Sequence, residues 1–263
     1  MNQNVSSFDA AAKSYDEEFT FSEIGKRQRE RVFYWLEKSK ALSSVKNIFE
    51  VNCGTGHDAE WFHNKGYNVI ATDVSAAMIK VSKAARNKGI YFYQRNMNEI
   101  AIDDNVGYSD FVFSNFGGLN CLSETELSSF FNELALKQKP RDRLAVVIMP
   151  NYCVVEDFYL LLKGKFSQIG RRDSRDFVEV DVNGEKVKTF YHSPKRVKKL
   201  LDNYYKVQMV KPIAHFLPPS YLEPFFKKNL WLLNWLSFLE RTFGSVSVLA
   251  KNADHYIIIA ERR

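Results

Sequence analysis

Short apolar runs alternate with longer segments of helical periodicity between residues 47 and 149. The apolar runs have the length of β-strands and cover residues 47–51, 67–72, 90–94, 110–114 and 144–149. Between them, residues 56–64, 75–86 and 124–137 carry apolar residues at helical spacing. Strands that are apolar on both faces and alternate with amphipathic helices form parallel sheets covered on both sides. Because crossover connections are right-handed, the pattern predicts a doubly wound, Rossmann-like α/β fold.

The pattern changes after Pro150. Two alternating runs, residues 177–182 and 186–191, flank Asn183-Gly184, a pair that is typical of β-hairpin turns. Residues 205–211 and 255–261 have the pattern of two further strands, which predicts a mostly parallel seven-stranded sheet with a hairpin and a helical cap inserted in the C-terminal half. We divide the chain into an N-terminal helical lid (1–45), a Rossmann-like core (46–150), an inserted cap that would cover a substrate (151–254) and a last core strand (255–263).

Residues 221–243 predict one long helix with Pro224 in its first turn. Its own apolar side chains cover almost its whole circumference, and its narrow polar stripe consists of Lys227, Asn234 and Arg241. A helix that is apolar on most sides must be buried on several of them. We expect it to pack on the sheet and the hairpin. A substrate wall, a dimer interface and a contact with a membrane surface are its functional alternatives.

Charge and cysteine content exclude several classes of protein. The net charge of +6 is spread in short runs that also contain acidic or apolar residues, which indicates solvated helix faces rather than a nucleic-acid-binding stripe. Cys53, Cys121 and Cys153 lack both a disulfide pattern and metal-ligand spacing, so we expect no metal and a cytoplasmic location. The N-terminus lacks the pattern of a signal peptide, and no apolar run is long enough for stable membrane insertion. We expect a monomer or a homodimer.

The turn after the first predicted strand reads Glu50-Val51-Asn52-Cys53-Gly54-Thr55-Gly56. Glycines in such a turn let a ligand approach the backbone, and the following helix offers unpaired N–H groups. Asp73 ends the second predicted strand, about twenty residues after the turn. A carboxylate at this position can accept hydrogen bonds from both ribose hydroxyls. The combination predicts a site for a ribose-bearing cofactor.

These motifs resemble those of the class I S-adenosylmethionine-dependent methyltransferases over about residues 8–149. Asn52 replaces a glycine of the family pattern, but asparagine tolerates a positive φ better than other residues with a side chain. The resemblance implies a small-molecule type of methyltransferase in which the lid tyrosine closes over S-adenosyl-L-methionine. The cofactor-binding residues that it implies, with Arg29 as our choice for the cofactor's carboxylate, are Tyr15, Arg29, Glu50, Asn52, Cys53, Gly54, Gly56, Asp73, Val74, Met78, Asn96, Met97, Asn115 and Phe116.

The charge around the turn distinguishes a methyl donor from a nicotinamide dinucleotide. Glu50 precedes the turn and Asp58 lies just inside the following helix. Two carboxylates would repel a pyrophosphate, whereas they attract a sulfonium and an α-amino group. The sign of the charge therefore favours S-adenosylmethionine.

The aromatic content, with 21 Phe and 13 Tyr, predicts a pocket for a large apolar acceptor, and we expect methylation of O or N on a small, partly apolar metabolite. C-methylation, a nucleic-acid methyltransferase and a non-catalytic S-adenosylmethionine-binding regulatory subunit are the alternatives. If the acceptor must lose a proton, His192 and then His215 are the candidate bases, each with a structural role as the alternative. We expect His57, His63 and His255 to be peripheral.

Overall fold

The computed structural model describes residues 5–102, 109–174, 176–182 and 184–263. Its strands are β1 (Asn47–Val51), β2 (Asn68–Asp73), β3 (Tyr91–Gln94), β4 (Phe111–Ser114), β5 (Arg143–Ile148), β6 (Val178–Val182), β7 (Glu185–Thr189), β8 (Tyr205–Ile213) and β9 (His255–Arg262). Seven of them form one sheet in the order β3-β2-β1-β4-β5-β9-β8. The strands β1 to β5 are parallel, and β9 runs antiparallel to both β5 and β8. The predicted mostly parallel seven-stranded sheet is therefore confirmed.

The helices are α1 (Val5–Ala11), α2 (Glu23–Lys38), α3 (His57–Asn64), α4 (Ala76–Ala85), α5 (Glu124–Lys137), α6 (Val154–Leu162), α7 (Pro194–Leu201), α8 (Glu223–Phe226) and α9 (Leu230–Phe243). The Ser22 and Ser75 side chains accept from backbone N–H groups in the first turns of α2 and α4, and Pro194 lies in the first turn of α7. None of the helices in the described ranges is long and apolar enough to cross a membrane.

The core lies on both faces of the sheet. Consecutive residues of β1 point to opposite sides, and Ile48 packs in the cluster with Phe62 whereas Phe49 packs in the cluster with Phe131. Both side chains are almost completely buried. A strand that is covered on both faces must be apolar throughout, which explains the runs from which the sheet was predicted.

The hairpin forms as predicted from β6 and β7, with Val182 opposite Glu185; Asn183 of its turn lies outside the described residues. The hairpin does not join the main sheet. Val182 packs instead against a small cluster that contains Ala12 of the lid and Met78 of α4. The hairpin and the N-terminal segment therefore meet beside the cofactor half of the fold.

The structure corrects the expected cap, residues 151–254, because this range also contains β8. That strand pairs with β9 along its length and forms an edge of the main sheet, which gives β9 a partner on each side. Residues 205–213 therefore belong to the core and not to the cap. The hairpin, α6 and α8 are the parts of the range that lie over the core's cavity.

The expected long helix at 221–243 is also wrong in two respects. It is broken into α8 and α9, because Asn229 has φ −127° and ψ 53°, outside the helical region. Its expected burial on several sides does not occur. Trp231, Trp235 and Phe238 of α9 are each more than half exposed.

Candidate active site

The turn after β1 has the backbone shape that the motif requires. Asn52, Gly54 and Gly56 have φ values of 52°, 53° and 77°. The side chain of Asn52 is held by its neighbours, since its Nδ2 donates to the Asn115 carbonyl at 2.9 Å and its Oδ1 accepts from Ser114 Oγ at 2.6 Å. The predicted tolerance of asparagine for a positive φ is confirmed, and the replaced glycine leaves the turn intact.

Gly118 makes room for the side chain of Asn52. A Cβ at position 118 would lie 2.2 Å from Asn52 Cγ, well inside van der Waals contact. Gly118 follows β4 in a short 3₁₀ segment, Gly118–Cys121, at the same edge of the sheet. The two residues therefore form a matched pair.

We expect Gly118→Ala to lower the free energy of unfolding by about 1–3 kcal/mol, because the added methyl group overpacks this contact. The same substitution in an Asn52→Gly background should cost much less, since the clashing side chain is gone. Denaturant unfolding of the four proteins measures the coupling. Equal costs in both backgrounds would contradict the matched pair.

Asp73 lies at the end of β2 and faces a large cavity. Its Oδ2 accepts from Gly54 N at 2.8 Å and its Oδ1 accepts from Ser75 N at 2.9 Å. Burial raises the pKa of Asp73, and these backbone donors oppose the rise. The carboxylate is thus fixed between the first turn and α4, with lone pairs left for ribose hydroxyls.

The next residues of the predicted site line the same cavity beyond Asp73: Val74, Met78, Asn96 and Met97. Met78 is buried and packs under the lid, as an adenine wall requires. Asn96 Oδ1 accepts from Asn98 N at 3.0 Å, which leaves its amide N–H groups available for a ligand. Apolar walls with one oriented polar group suit a purine ring.

A second, small cavity of about 30 Å³ lies on the other side of the turn. Glu50 lines it and is almost completely buried, and among the described residues no group hydrogen-bonds to its Oε2. Burial and the nearby Asp58 raise the pKa of Glu50 well above its ordinary value. A buried carboxyl oxygen that lacks a partner is costly, so the site fits a ligand with an ammonium group.

Arg29 of α2 closes the small cavity opposite Glu50 and also lines the large one. Its Nε donates to Asp58 Oδ1 at 2.7 Å, and Asn115 Nδ2 donates to the other oxygen of Asp58 at 2.7 Å. Arg29 Nη2 makes no hydrogen bond to the described part of the chain, so it can reach a ligand carboxylate. The small cavity thus offers a carboxyl group and a guanidinium group, the two kinds of partner that an α-amino acid end requires.

Tyr15, Asn52, Gly54 and Phe116 line both cavities, whereas Cys53 and Asn115 line only the small one. Of the predicted cofactor-binding residues, Gly56 alone lines neither cavity within the described ranges. It acts on the packing instead, because a Cβ there would lie 2.6 Å from the Phe92 ring. Tyr15 and Arg29 belong to the segment expected to form a lid.

The lid is fastened to the core by two carboxylates. Asp9 accepts hydrogen bonds from Ser75 Oγ and from Ala77 N. Asp16 accepts from Thr55 Oγ1 and from Arg86 Nη2, both at 2.5 Å. These contacts hold the segment that carries Tyr15 over the turn after β1.

Phe116 lies where the two cavities meet. Its φ of 38° is unusual for a residue with a side chain, and such conformations concentrate at functional sites. The guanidinium of Arg29 lies 5.2 Å from its ring centroid, and the His255 ring packs edge-on at 5.3 Å. The Phe116 ring therefore contacts both Arg29, which lines the two cavities, and His255, which lines the large one.

The large cavity has a volume of about 1250 Å³, more than the 300–1,000 Å³ typical of a site for one small ligand. From Asp73 and Met78 it continues under the hairpin and between α6 and the 219–227 segment. Val187 and Tyr191 line it from the hairpin side, and Tyr221 lines it from the opposite side. Space for a second molecule therefore adjoins the cofactor residues.

Neither expected base lies at this cavity. His192 is buried, and its Nε2–H donates to the Leu122 carbonyl at 2.9 Å. Burial lowers the pKa of His192, which keeps the ring neutral in this structural role. His215 packs edge-on against Phe216 and is absent from the lining residues of both cavities. We therefore do not retain either residue as a candidate base.

A histidine expected to be peripheral, His255, lines the large cavity together with Asp254. Its Nδ1 is buried 3.1 Å from Asp254 Oδ2. Arg172 Nη2 and Gln28 Nε2 donate to the two oxygens of Asp254 at 2.7 and 3.2 Å. Burial alone would raise the pKa of Asp254, but His255 and Arg172 outweigh it and hold this pKa below its ordinary value. Asp254 therefore stays ionised beside the ring.

The signal for His255 lies in the topology. A strand that runs antiparallel to a parallel sheet begins at the edge where the parallel strands end. β9 begins at His255, and its pairing places Tyr256 opposite Ile148 at the end of β5. The first residues of β9 therefore lie at the edge that binds ligands in open α/β sheets. Among the described residues no group of three or more His, Cys, Asp or Glu side chains could hold a metal ion.

Comparison with known proteins agrees with this geometry. Residues 48–141 match the sequence model of a methyltransferase domain. No curated protein matches the chain by sequence.

Several solved methyltransferase structures share the fold at low sequence identity. A putative S-adenosylmethionine-dependent methyltransferase from Listeria monocytogenes has a TM-score of 0.59 at 14% identity, over 89% of this chain and 98% of that chain. Magnesium protoporphyrin IX methyltransferase from Synechocystis, solved with bound S-adenosylhomocysteine (SAH), has a TM-score of 0.58 at 14% identity, over 99% and 96%. An N-methyltransferase from Bradyrhizobium japonicum, also solved with SAH, has a TM-score of 0.52 at 12% identity, over 92% and 89%. Residues 48–141 therefore carry a methyltransferase domain, and the chain as a whole shares its fold with these solved methyltransferases.

Proposed function

We propose that the chain transfers a methyl group from S-adenosylmethionine to an oxygen or nitrogen of a small, partly apolar metabolite. The observation that carries the proposal is the continuity of the large cavity from Asp73 to the hairpin and α6. A molecule bound under the hairpin would lie beside Phe116, where the cofactor side of the cavity ends.

The lining of this cavity supports a small acceptor that is not a polyanion. Apolar and aromatic surface is supplied by Tyr159, Leu160, Val187, Tyr191 and Tyr221. The carboxylates that line the cavity outnumber the cations that line it. The carboxylates are Glu17, Glu18, Asp73, Glu126, Glu179, Asp181, Glu223 and Asp254, and the cations are Arg29, Arg95, Lys165, Arg171, Arg172 and Lys227. A nucleic-acid site needs a surplus of cations for the phosphates, so this balance favours a metabolite.

We assign the role of general base to His255. Its Nδ1 is buried beside Asp254, which leaves Nε2 for an acceptor in the cavity. The ionised Asp254 favours the tautomer that carries its proton on Nδ1 and stabilises the ring when Nε2 takes a second proton. Asp254 is itself held by Arg172 and Gln28, so it acts as a positioning residue.

The chemistry then requires alignment and one proton transfer. S-adenosylmethionine supplies a methyl group that is already activated by the positive sulfur. His255 Nε2 would take the proton of an acceptor hydroxyl as its oxygen attacks the methyl carbon, or the proton of an acceptor ammonium group before its nitrogen attacks. The methyl group would then pass from sulfur to the acceptor, with S-adenosylhomocysteine as the leaving group. Phe116 and the aromatic lining hold the acceptor in line, which is the larger part of the protein's contribution.

The test of the proposed function is methyl transfer to a pool of small molecules. The chain is incubated with radiolabelled S-adenosylmethionine and a cell extract depleted of macromolecules, and calorimetry with SAH verifies the cofactor site. We expect label in products that partition into organic solvent. Label only in added RNA, DNA or protein, or no SAH binding at millimolar concentration, would overturn the proposal.

A further inference from the structure

The outer face of α9 exposes three large aromatic side chains. Trp231, Trp235 and Phe238 are 72%, 55% and 60% exposed and follow one another at positions i, i+4 and i+7. The opposite face of α9 is buried through Leu233, Ser237 and Glu240. We call the three exposed side chains the aromatic ridge. Single exposed apolar residues are ordinary, but a contiguous apolar patch indicates a binding surface.

A second exposed apolar surface lies on α6. Phe158, Leu161 and Leu162 are 58%, 48% and 69% exposed, and Phe166 in the following 3₁₀ segment is 66% exposed. We call these four side chains the α6 patch.

The elements that carry the two surfaces meet at the cavity. Tyr159 of α6 contacts Tyr221, which precedes α8, with ring centroids 6.1 Å apart. Both tyrosines line the large cavity, as do Leu160 and Pro224. The ridge on α9 follows α8 directly in the chain, so each apolar surface lies on or next to a helix that lines the cavity.

Within residues 221–250, the side chains that carry an outward charge are all positive. The two carboxylates between residues 221 and 250 turn inward: Glu223 accepts from Glu23 N and Ile24 N at the start of α2, and Glu240 is buried and accepts from Ala214 N and Phe216 N. The cations Lys227, Lys228 and Arg241 are exposed. Apolar and aromatic side chains flanked by cations suit a lipid surface with anionic headgroups.

The α6 patch has the same arrangement. Glu156 is buried and pairs with Arg171 and Arg172, and Asp157 Oδ1 accepts from Gly170 N at 2.8 Å. Lys163 and Lys165 beside the patch are exposed. The two surfaces therefore share both components of an interfacial contact, exposed apolar side chains and outward positive charge.

We propose that the aromatic ridge and the α6 patch dock the enzyme on an anionic membrane surface, and that the acceptor enters the cavity from the lipid phase. The contact is interfacial, since α9 is too short to span a bilayer. A second copy of the chain fits less well, because a two-fold contact through the ridge would bring Lys227, Lys228 and Arg241 towards their own copies. The acceptor's route depends on the proposed function, but membrane docking does not.

Vesicle flotation tests the docking directly. The full chain is mixed with vesicles of phosphatidylcholine alone or of phosphatidylcholine and phosphatidylglycerol in equal parts. We expect flotation with the anionic vesicles, weakened by high salt, and a fall of roughly 100-fold in partitioning for Trp231→Ser/Trp235→Ser/Phe238→Ser. Lys228→Glu/Arg241→Glu should weaken binding to anionic vesicles selectively. Leu136→Ser, at a 75% exposed position of α5, is the matched control and should float like the wild type.

SAH calorimetry on the same samples shows that each variant keeps its cofactor site. Wild-type protein that binds SAH but does not float with anionic vesicles would overturn the docking proposal and leave the proposed function standing. A concentration-dependent dimer that the triple serine variant abolishes, without flotation of the wild type, would assign the ridge to a second copy and would equally overturn the proposal. Flotation together with failure of the acceptor-pool test would separate membrane docking from the proposed reaction.

Discussion

Asp73→Ala is expected to lower the affinity for SAH by roughly 10- to 150-fold, the equivalent of about 1.5–3 kcal/mol for hydrogen bonds to a charged group. The carboxylate faces the large cavity while Gly54 and Ser75 hold both of its oxygens. Its removal therefore costs the ribose contact and also loosens the turn after β1. Isothermal calorimetry measures the change.

A second ligand separates these two effects of Asp73. The 2′-deoxyribose analogue of SAH lacks one of the hydroxyls that Asp73 would accept. If the contact exists, the analogue should bind less tightly than SAH to the wild type but about as tightly as SAH to Asp73→Ala. Loosening of the turn after β1 weakens the binding of both ligands to the variant, so it cancels when the two ligands are compared. An affinity for SAH that is unchanged in Asp73→Ala would refute the ribose assignment.

His255→Ala is expected to lower kcat by roughly 10²- to 10⁴-fold for the acceptor found in the pool experiment, the range for loss of a general base. SAH affinity should change little, because His255 lines the large cavity but not the small one that holds Arg29 and Glu50. Steady-state kinetics and SAH calorimetry measure the two effects.

Two other variants serve as controls for His255. His215→Ala removes a histidine outside the cavity lining and should keep the wild-type kcat. Asp254→Asn should lower kcat more than it raises KM, since it removes the charge that orients the ring. If His255→Ala keeps kcat within twofold of the wild type, His255 is not the base.

The parallel half of the fold was predictable because its strands are buried on both faces. Residues such as Ile48 and Phe49 of β1 must both be apolar, and that constraint is visible in the sequence alone. The site around the first turn was predictable for a similar reason. Positive φ values at Asn52, Gly54 and Gly56 restrict the residue types that the turn accepts.

The C-terminal half was less predictable because its pattern reflects more than burial. Trp231 and Phe238 read as core residues in the sequence, yet they are exposed on α9. The break at Asn229 depends on a local conformation that apolar periodicity does not encode. His255 could not be distinguished from a surface histidine until the pairing of β9 with β5 fixed the edge at which it lies. Tertiary pairing, rather than local propensity, decides these features.

The contact between Asn52 and Gly118 links substitutions at two distant sites of the chain. In a protein of this fold with glycine at the position of Asn52, there is no side-chain amide to clash with a residue at the position of Gly118, so that second position is free to vary. Where asparagine occupies the first position, only glycine fits the second. The two positions should therefore covary among homologues. Replacing Gly118 alone by a larger residue should be harmful, whereas replacing Asn52 alone by glycine should be tolerated.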